Sequence, residues 1–445
     1  MASFTSPIFR TPKGRVHPTP TGHANEAQLT DAGEYSYLIT VGFGGQDFQV
    51  VLDTGSSDLW IVSSDCQIDD CSGIEKYNST STLSLSPLPF SLSYLTGSVS
   101  GVVAFETVSF GPFQISSQVF ALVNQTKDLG MSSTGDSGIL GLSFPTIASI
   151  PGSDGRTLLE NIYSHLDPSD CFFAFKLGRD EVTNPGTFSV GELDLSITPR
   201  SSEILYSPVY SSDGSRYDYW KLPLLAITVS SKVIPFIQPI SKVSGSSSPI
   251  AVLDTGTTFV LGPTRDVDNL WAAAGGARKT SDNTWQVRCD HAVTVGFVLG
   301  NDTAHKEFVL DPSDVSWSSG PTSDGWCLGG IQANDGVFSG DWLMGDAFLR
   351  NVYVTHHAAS PSSPPLIGLL SITDPAMAMT QFLAQRGADN TPTNMTTPMN
   401  LLVHSSQSGD TALFGVALLL GFLGSSVVTV LLRLRGGRKN RNTYT

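Results

Sequence analysis

The chain carries the same short segment twice, and each copy holds one carboxylate. Val51-Leu52-Asp53-Thr54-Gly55-Ser56-Ser57 returns as Val252-Leu253-Asp254-Thr255-Gly256-Thr257-Thr258. Each time an apolar run leads into Asp-Thr-Gly and then a pair of hydroxyl residues. A second echo follows. The Gly of Ile139-Leu140-Gly141 comes 88 residues after Asp53, and the Gly of Leu343-Met344-Gly345 comes 91 residues after Asp254. A repeat on this scale implies two related lobes, each offering one Asp. Two carboxyls that meet across an interface form a general acid–base pair. Like charges a few ångströms apart do not both ionise readily, so such a pair keeps one proton over a wide acidic range. With a water held between them, that chemistry is hydrolysis.

The elements that must hold these residues read as strands. Gly (43) and Pro (26) are plentiful, and short apolar runs sit between turn residues, which predicts an all-β dominated fold. The run Tyr35-Ser36-Tyr37-Leu38-Ile39-Thr40-Val41 alternates. Phe43-Gly44-Gly45-Gln46 is a hairpin turn into the strand that ends at Asp53. Ser244 to Pro249 is a loop just before the second Asp strand. With 445 residues, 40% of them hydrophobic, the chain can fill two cores. The reading places a leader at 1–30, a first lobe at 31–200 and a second at 201–380. A Ser/Thr/Pro/Asn-rich stalk follows at 381–410.

The last part of the chain reads as a membrane anchor. Thr411 to Leu432 is 22 residues without a charge. At about 1.5 Å per residue a helix of that length crosses a bilayer core of about 30 Å. The tail, 433–445, holds five bases and no acid. A positive flank stays cytoplasmic, so the expected topology is single-pass type I with the lobes lumenal or extracellular. A GPI signal is the alternative, with small residues at Ser405 to Gly409 as attachment sites. Net charge is −15; without the five tail bases the rest carries −20. An acidic globule with few bases excludes nucleic acid as the expected partner.

These residues resemble the pepsin-like aspartic endopeptidases from about Tyr35 to Met379. Tyr94-Leu95-Thr96-Gly97-Ser98 is similar to the family's flap hairpin, with Tyr94 at its tyrosine position. Trp60, seven residues after Asp53, matches the tryptophan that bonds that tyrosine. Tyr219-Trp220 and Trp342 to Phe348 fit the second lobe's pattern, with Asp346 as a structural acid. The resemblance implies a bilobal fold with its active-site cleft between the lobes. It implies an endopeptidase that uses Asp53 and Asp254 on protein or peptide substrates at acidic pH. Gly55 and Gly256 would bring backbone N–H groups to the carboxylates, and Thr54 and Thr255 would reach across to the opposite lobe. Ser56, Thr257 and Thr258 would support the carboxylates with hydroxyls. Tyr94, Leu95 and Thr96 would close over substrate. It also implies disulfides Cys66–Cys71 and Cys289–Cys327, leaving Cys171 as a buried apolar thiol or, less readily, an intermolecular link. Disulfides fit an oxidising compartment, as do sequons at Asn78, Asn124, Asn301 and Asn394. The expected enzyme is a monomer without cofactor or metal.

Some features stand apart. Family members begin with a signal and a pro-segment, yet the first 20 residues hold no apolar h-region. The expectation is a truncated N-terminus, with Arg10, Lys13 and Arg15 either a pro-segment remnant or part of a disordered leader. Gly135-Asp136-Ser137 stands where many relatives line the cleft with an apolar residue, which leaves a strictly aromatic preference in doubt. His356-His357 lacks metal-ligand spacing with acids or Cys and reads as a solvated loop. A catalytically silent surface or binding protein is the alternative function. A lost Asp, Gly or flap Tyr is its signature, and none is lost here.

Overall fold

The computed structural model describes residues 3–12, 35–179, 184–237, 241–317 and 324–387. The span at 411–432, the tail, Asn394 and all of the stalk beyond residue 387 lie outside them. Among the described residues no helix is long and apolar enough to cross a membrane.

In chain order the first strands are β1 (Phe4–Pro12), β2 (Tyr35–Phe43), β3 (Gln46–Asp53), β4 (Leu59–Val62), β5 (Ser84–Ser93), β6 (Ser98–Phe110), β7 (Phe113–Lys127) and β8 (Gly138–Gly141). β2 turns into β3 through Gly44 and Gly45, whose φ of 55° and 81° suit glycine in a two-residue hairpin. β3 alternates as the pleat requires: Phe48, Val50 and Leu52 are buried, while Gln49 and Val51 on the other face are only half-buried. β8 lies between β3 and β4, parallel to β3 and antiparallel to β4. The second half repeats this arrangement. Ile250–Leu253 runs parallel to Trp342–Met344, which is antiparallel to Val260–Gly262. The repeated sequence is therefore a repeated three-strand unit.

A 13-stranded sheet runs through the first half and into a platform shared with the second. β1 is the joint. It pairs with β2 on one side and with Gly186–Val190 on the other. Beyond Gly186–Val190 come Phe172–Lys176, Val352–His357, Leu366–Ser371 and Leu205–Pro208, the last three from the second half. A separate eight-stranded sheet carries the Asp254 strand. Arg179, just past Phe172–Lys176, grips Asp314 of the second half through both guanidinium nitrogens, at 2.9 and 2.5 Å. Arg350 stands 3.3 Å from the same carboxylate.

Four expectations are corrected. Residues 4–12, read as part of a leader or pro-segment remnant, form a strand, so they are not a disordered leader. Ile8 is 4% exposed, and Phe4 meets Phe110 edge-on at 5.1 Å, so alternate side chains of β1 fill the core. Residues 381–386, read as stalk, belong to a helix, Pro375–Arg386. Asp374 caps it by accepting from the N–H groups of Ala376 and Met377, and Phe382 is buried beneath it. His356 and His357 are not a solvated loop. They end the strand Val352–His357, with His356 fully buried. Cys171 is free but only half-buried, its thiol turned toward the carbonyls of Tyr163 and Asp167.

Candidate active site

Both Asp-Thr-Gly turns leave the ends of their strands and meet where the two halves touch. Thr54 donates its hydroxyl to the Leu253 carbonyl at 2.9 Å, and Thr255 donates to Leu52 at 2.6 Å. Each threonine N–H then donates to the other's hydroxyl, at 3.0 and 3.1 Å. This reciprocal grip fixes the separation of Asp53 and Asp254, whose carboxyls hydrogen-bond to each other. The Gly55 N–H donates to Asp53 Oδ1 and the Gly256 N–H to Asp254 Oδ1, both at 2.8 Å. Ser56 donates to Asp53 Oδ2 at 2.5 Å, and Thr257 to Asp254 Oδ2 at 2.8 Å.

The apolar-apolar-Gly segments have a steric purpose. The turn after Asp53 crosses so close to Gly141 that a Cβ there would sit 2.6 Å from the Asp58 nitrogen. At Gly345 a Cβ would sit 2.2 Å from the Thr257 carbonyl. Only glycine permits either crossing.

Burial, and then the charge of Asp53, push the Asp254 carboxyl well above the ordinary carboxylate range. Asp254 therefore holds a proton under conditions where a free Asp has lost it. Asp53 receives the shorter hydroxyl bond of the two, the one from Ser56. One proton shared by two buried carboxyls is the state this geometry favours.

β5 and β6 form a hairpin whose tip is Tyr94 to Gly97, closed by the Tyr94 N–H donating to the Gly97 carbonyl at 2.7 Å. The Trp60 indole donates to the Tyr94 hydroxyl, also at 2.7 Å. Ser56 and the Asp53 charge both bear on that hydroxyl, so it lies near the first carboxylate. Burial raises the Tyr94 phenol, with the Asp53 charge adding to it. Leu95 and Thr96 are exposed at the tip.

Other sequence-derived residues fall away from this centre. Cys66–Cys71 and Cys289–Cys327 are disulfide-bonded, the first beside β4 and the second joining Cys289 to the strand Trp326–Gly329. Asn78 and Asn124 are exposed, while Asn301 is half-buried in a turn where its Oδ1 accepts from Thr303 and Ala304. Thr258 is buried, its carbonyl accepting from Ala347. Asp136 is buried and accepts from the Thr134 hydroxyl.

Asp58 was not singled out from the sequence. It is 3% exposed and accepts the N–H groups of Ser149 and Ile150, at 2.7 and 2.9 Å. It pins the segment after β8 to the exit of the first turn. The run Asp53 to Trp60 contained this acid, but the spacing carried no sign of its partners.

With this geometry in view, the similarity to known proteins is direct. A sequence model of the family described as eukaryotic aspartyl protease matches residues 34–363. The chain belongs to that family and is an aspartic endopeptidase. It is 32% identical over 334 residues to an aspartic protease of Phaffia rhodozyma, covering 73% of this chain and 75% of the relative. It is 27% identical over 364 residues to major aspartyl peptidase 1 of Cryptococcus neoformans, covering 78% and 72%. Pepsin A of Sus scrofa is 27% identical over 370 residues, covering 81% of this chain and 88% of the relative.

Proposed function

We propose that Asp53 and Asp254 are the catalytic pair of this endopeptidase and that it cleaves protein or peptide substrates at acidic pH. The observation that carries this reading is the symmetric, buried meeting of the two carboxyls, each held by its own glycine N–H across the reciprocal threonine grip. The Asp53 carboxylate takes a proton from a water between the pair. The water oxygen attacks the scissile carbonyl carbon while the Asp254 hydroxyl donates to the carbonyl oxygen, giving a tetrahedral diol. A proton then passes to the leaving nitrogen, the C–N bond breaks, and the pair returns to one proton. Tyr94, Leu95 and Thr96 close over the substrate and exclude bulk water. Trp60 and Ser56 hold Tyr94 in register with Asp53.

The setting we propose is a monomer facing the lumen or the exterior, anchored by the apolar segment Thr411–Leu432 or, alternatively, by GPI. It bears sugars at some of Asn78, Asn124, Asn301 and Asn394. Incubation of the protein with a denatured protein substrate at acidic pH, with and without pepstatin, tests the activity. Inhibitable cleavage supports the reading, and no cleavage at any pH opposes it.

A further inference from the structure

The strand Val352–His357 lies at the centre of the shared platform, and His356 faces its interior. His356 pairs with Phe173 on one neighbouring strand and with Ile367 on the other. It is 0% exposed. Its ring stacks on Phe173 at 4.6 Å and 14°, leans on Phe175 at 5.6 Å, and meets Trp220 edge-on at 4.6 Å. Neither ring nitrogen has a hydrogen-bond partner among the described residues. A phenylalanine would occupy such an aromatic box without leaving a donor and an acceptor unmade.

The box also sits against the active site. The Trp220 indole donates to the Leu142 carbonyl at 2.9 Å, and the Leu142 N–H donates to the Asp53 carbonyl at 2.8 Å. On its other side the Trp220 carbonyl accepts from Leu253, the residue before Asp254, at 3.0 Å. Trp220 therefore packs its indole on the His356 ring and links, through its indole to Leu142 and through its main-chain carbonyl to Leu253, to residues bonded or next to the two Asp.

We infer that His356 sets the acid limit of this enzyme: its imidazole stays neutral in a box with no acceptor for a second N–H, and its protonation loosens the platform that aligns the two carboxylates. The inference rests on the acid-protease reading only for its consequence, since the effect on folding stands without it. A proton on His356 adds a charge and a donor to an apolar interior. Burial, and then the neighbouring His357, hold the imidazole far below its ordinary value. The ionisable groups on the packed elements are Lys176, Tyr206, Tyr353 and His357 on the platform strands, and Asp218, Tyr219 and Lys221 beside Trp220. None of them hydrogen-bonds the ring.

The unfolded chain binds a proton at this histidine below about pH 6.5, and the folded chain does not. Stability is therefore lost as pH falls, by up to about tenfold in the unfolding constant per pH unit. The carboxyl pair works the other way, since Asp254 loses its proton as pH rises. The working window is bounded below by His356 and above by the pair.

The test compares the full chain carrying Asp53→Asn, which removes self-digestion, with the same chain carrying His356→Phe as well. Denaturant unfolding is followed from pH 7 to pH 4. His357 is present in both and cancels. The ratio of unfolding constants, parent over His356→Phe, is expected to grow about fiftyfold between pH 6.5 and pH 4.5. A ratio that stays flat overturns the inference. If His356→Phe does not fold, His356→Leu replaces it, and histidine ¹³C NMR of the parent reads the ring directly. A neutral His356 at pH 5 supports the inference and a charged one overturns it. A protein that cleaves nothing fails the dyad reading alone, and a protein that cleaves with a flat ratio fails the His356 inference alone.

Discussion

A Cβ on Gly55 would stand 2.5 Å from Oδ1 of Asp254, the carboxyl of the opposite half. The mirror contact, from Gly256 to Asp53 Oδ1, would be 2.6 Å. No real Cβ is tolerated that close, so the smallest side chain at either position forces the two carboxyls apart. Gly55→Ala is expected to lower kcat/KM by about a hundredfold or more, the scale of a misplacement of about 1 Å in an active site. Far-UV circular dichroism should be unchanged. Activity within tenfold of the parent would show that the pair tolerates a wider spacing than this geometry allows.

The bond from Trp60 to Tyr94 is the anchor of the hairpin over the site. Tyr94→Phe keeps the ring and removes the hydroxyl that accepts from Trp60. Loss of one such hydrogen bond is worth about 1 kcal/mol, so kcat/KM should fall about five- to tenfold, with thermal stability nearly unchanged. Steady-state kinetics on a peptide substrate decides it. A fall confined to stability would make the contact purely structural.

Ile8 tests the role of β1. It is 4% exposed in the core, so Ile8→Ala should destabilise the fold by about 2–4 kcal/mol in denaturant unfolding. An unchanged midpoint would mean that residues 4–12 are dispensable to the platform.

The repeated Asp-Thr-Gly segments and their later glycines made the paired units legible, because a close backbone crossing admits one residue type. The Gly44-Gly45 hairpin was legible for a similar reason. β1 was hidden because Pro7 and Pro12 break its pattern and its partner, Gly186–Val190, is nearly 180 residues away. The helix Pro375–Arg386 was hidden by the polar residues around it, although Asp374-Pro375 and Gly387 mark its two ends. His356 was misread because a polar residue is expected outside. Its burial is decided by Phe173, Phe175 and Trp220, all from distant parts of the chain. Asp58 escaped notice because its partners, Ser149 and Ile150, lie about 90 residues on.

Asp314 joins the halves through buried charge. Burial alone would raise its carboxyl, but Arg179 and then Arg350 outweigh that and hold it below the ordinary value. A depressed carboxyl stabilises the fold above its unfolded value, near pH 3.9, and that stability is lost as pH falls below it. Asp314→Ala should cost about 3–5 kcal/mol at pH 7, because it removes the buried carboxylate that the Arg350 and Arg179 guanidinium groups face. The cost should shrink below pH 4. Denaturant unfolding at pH 7 and pH 3 separates this effect from that of His356, which begins near pH 6.5. An equal cost at both values would rule out ion pairing as its source.

In the proposed mechanism Asp53 and Asp254 share one proton and both act on the peptide bond. The cleavage rate of a denatured protein, measured from pH 3 to pH 8 for the parent and for Asp53→Asn and Asp254→Asn, tests it most directly. The parent should peak below about pH 6 and decline above it, as the raised Asp254 carboxyl ionises. Each asparagine variant should lose at least about 10²–10⁴-fold at every pH while remaining folded. A single variant that still cleaves at close to the parent rate, or a parent rate still climbing at pH 8, would contradict the account.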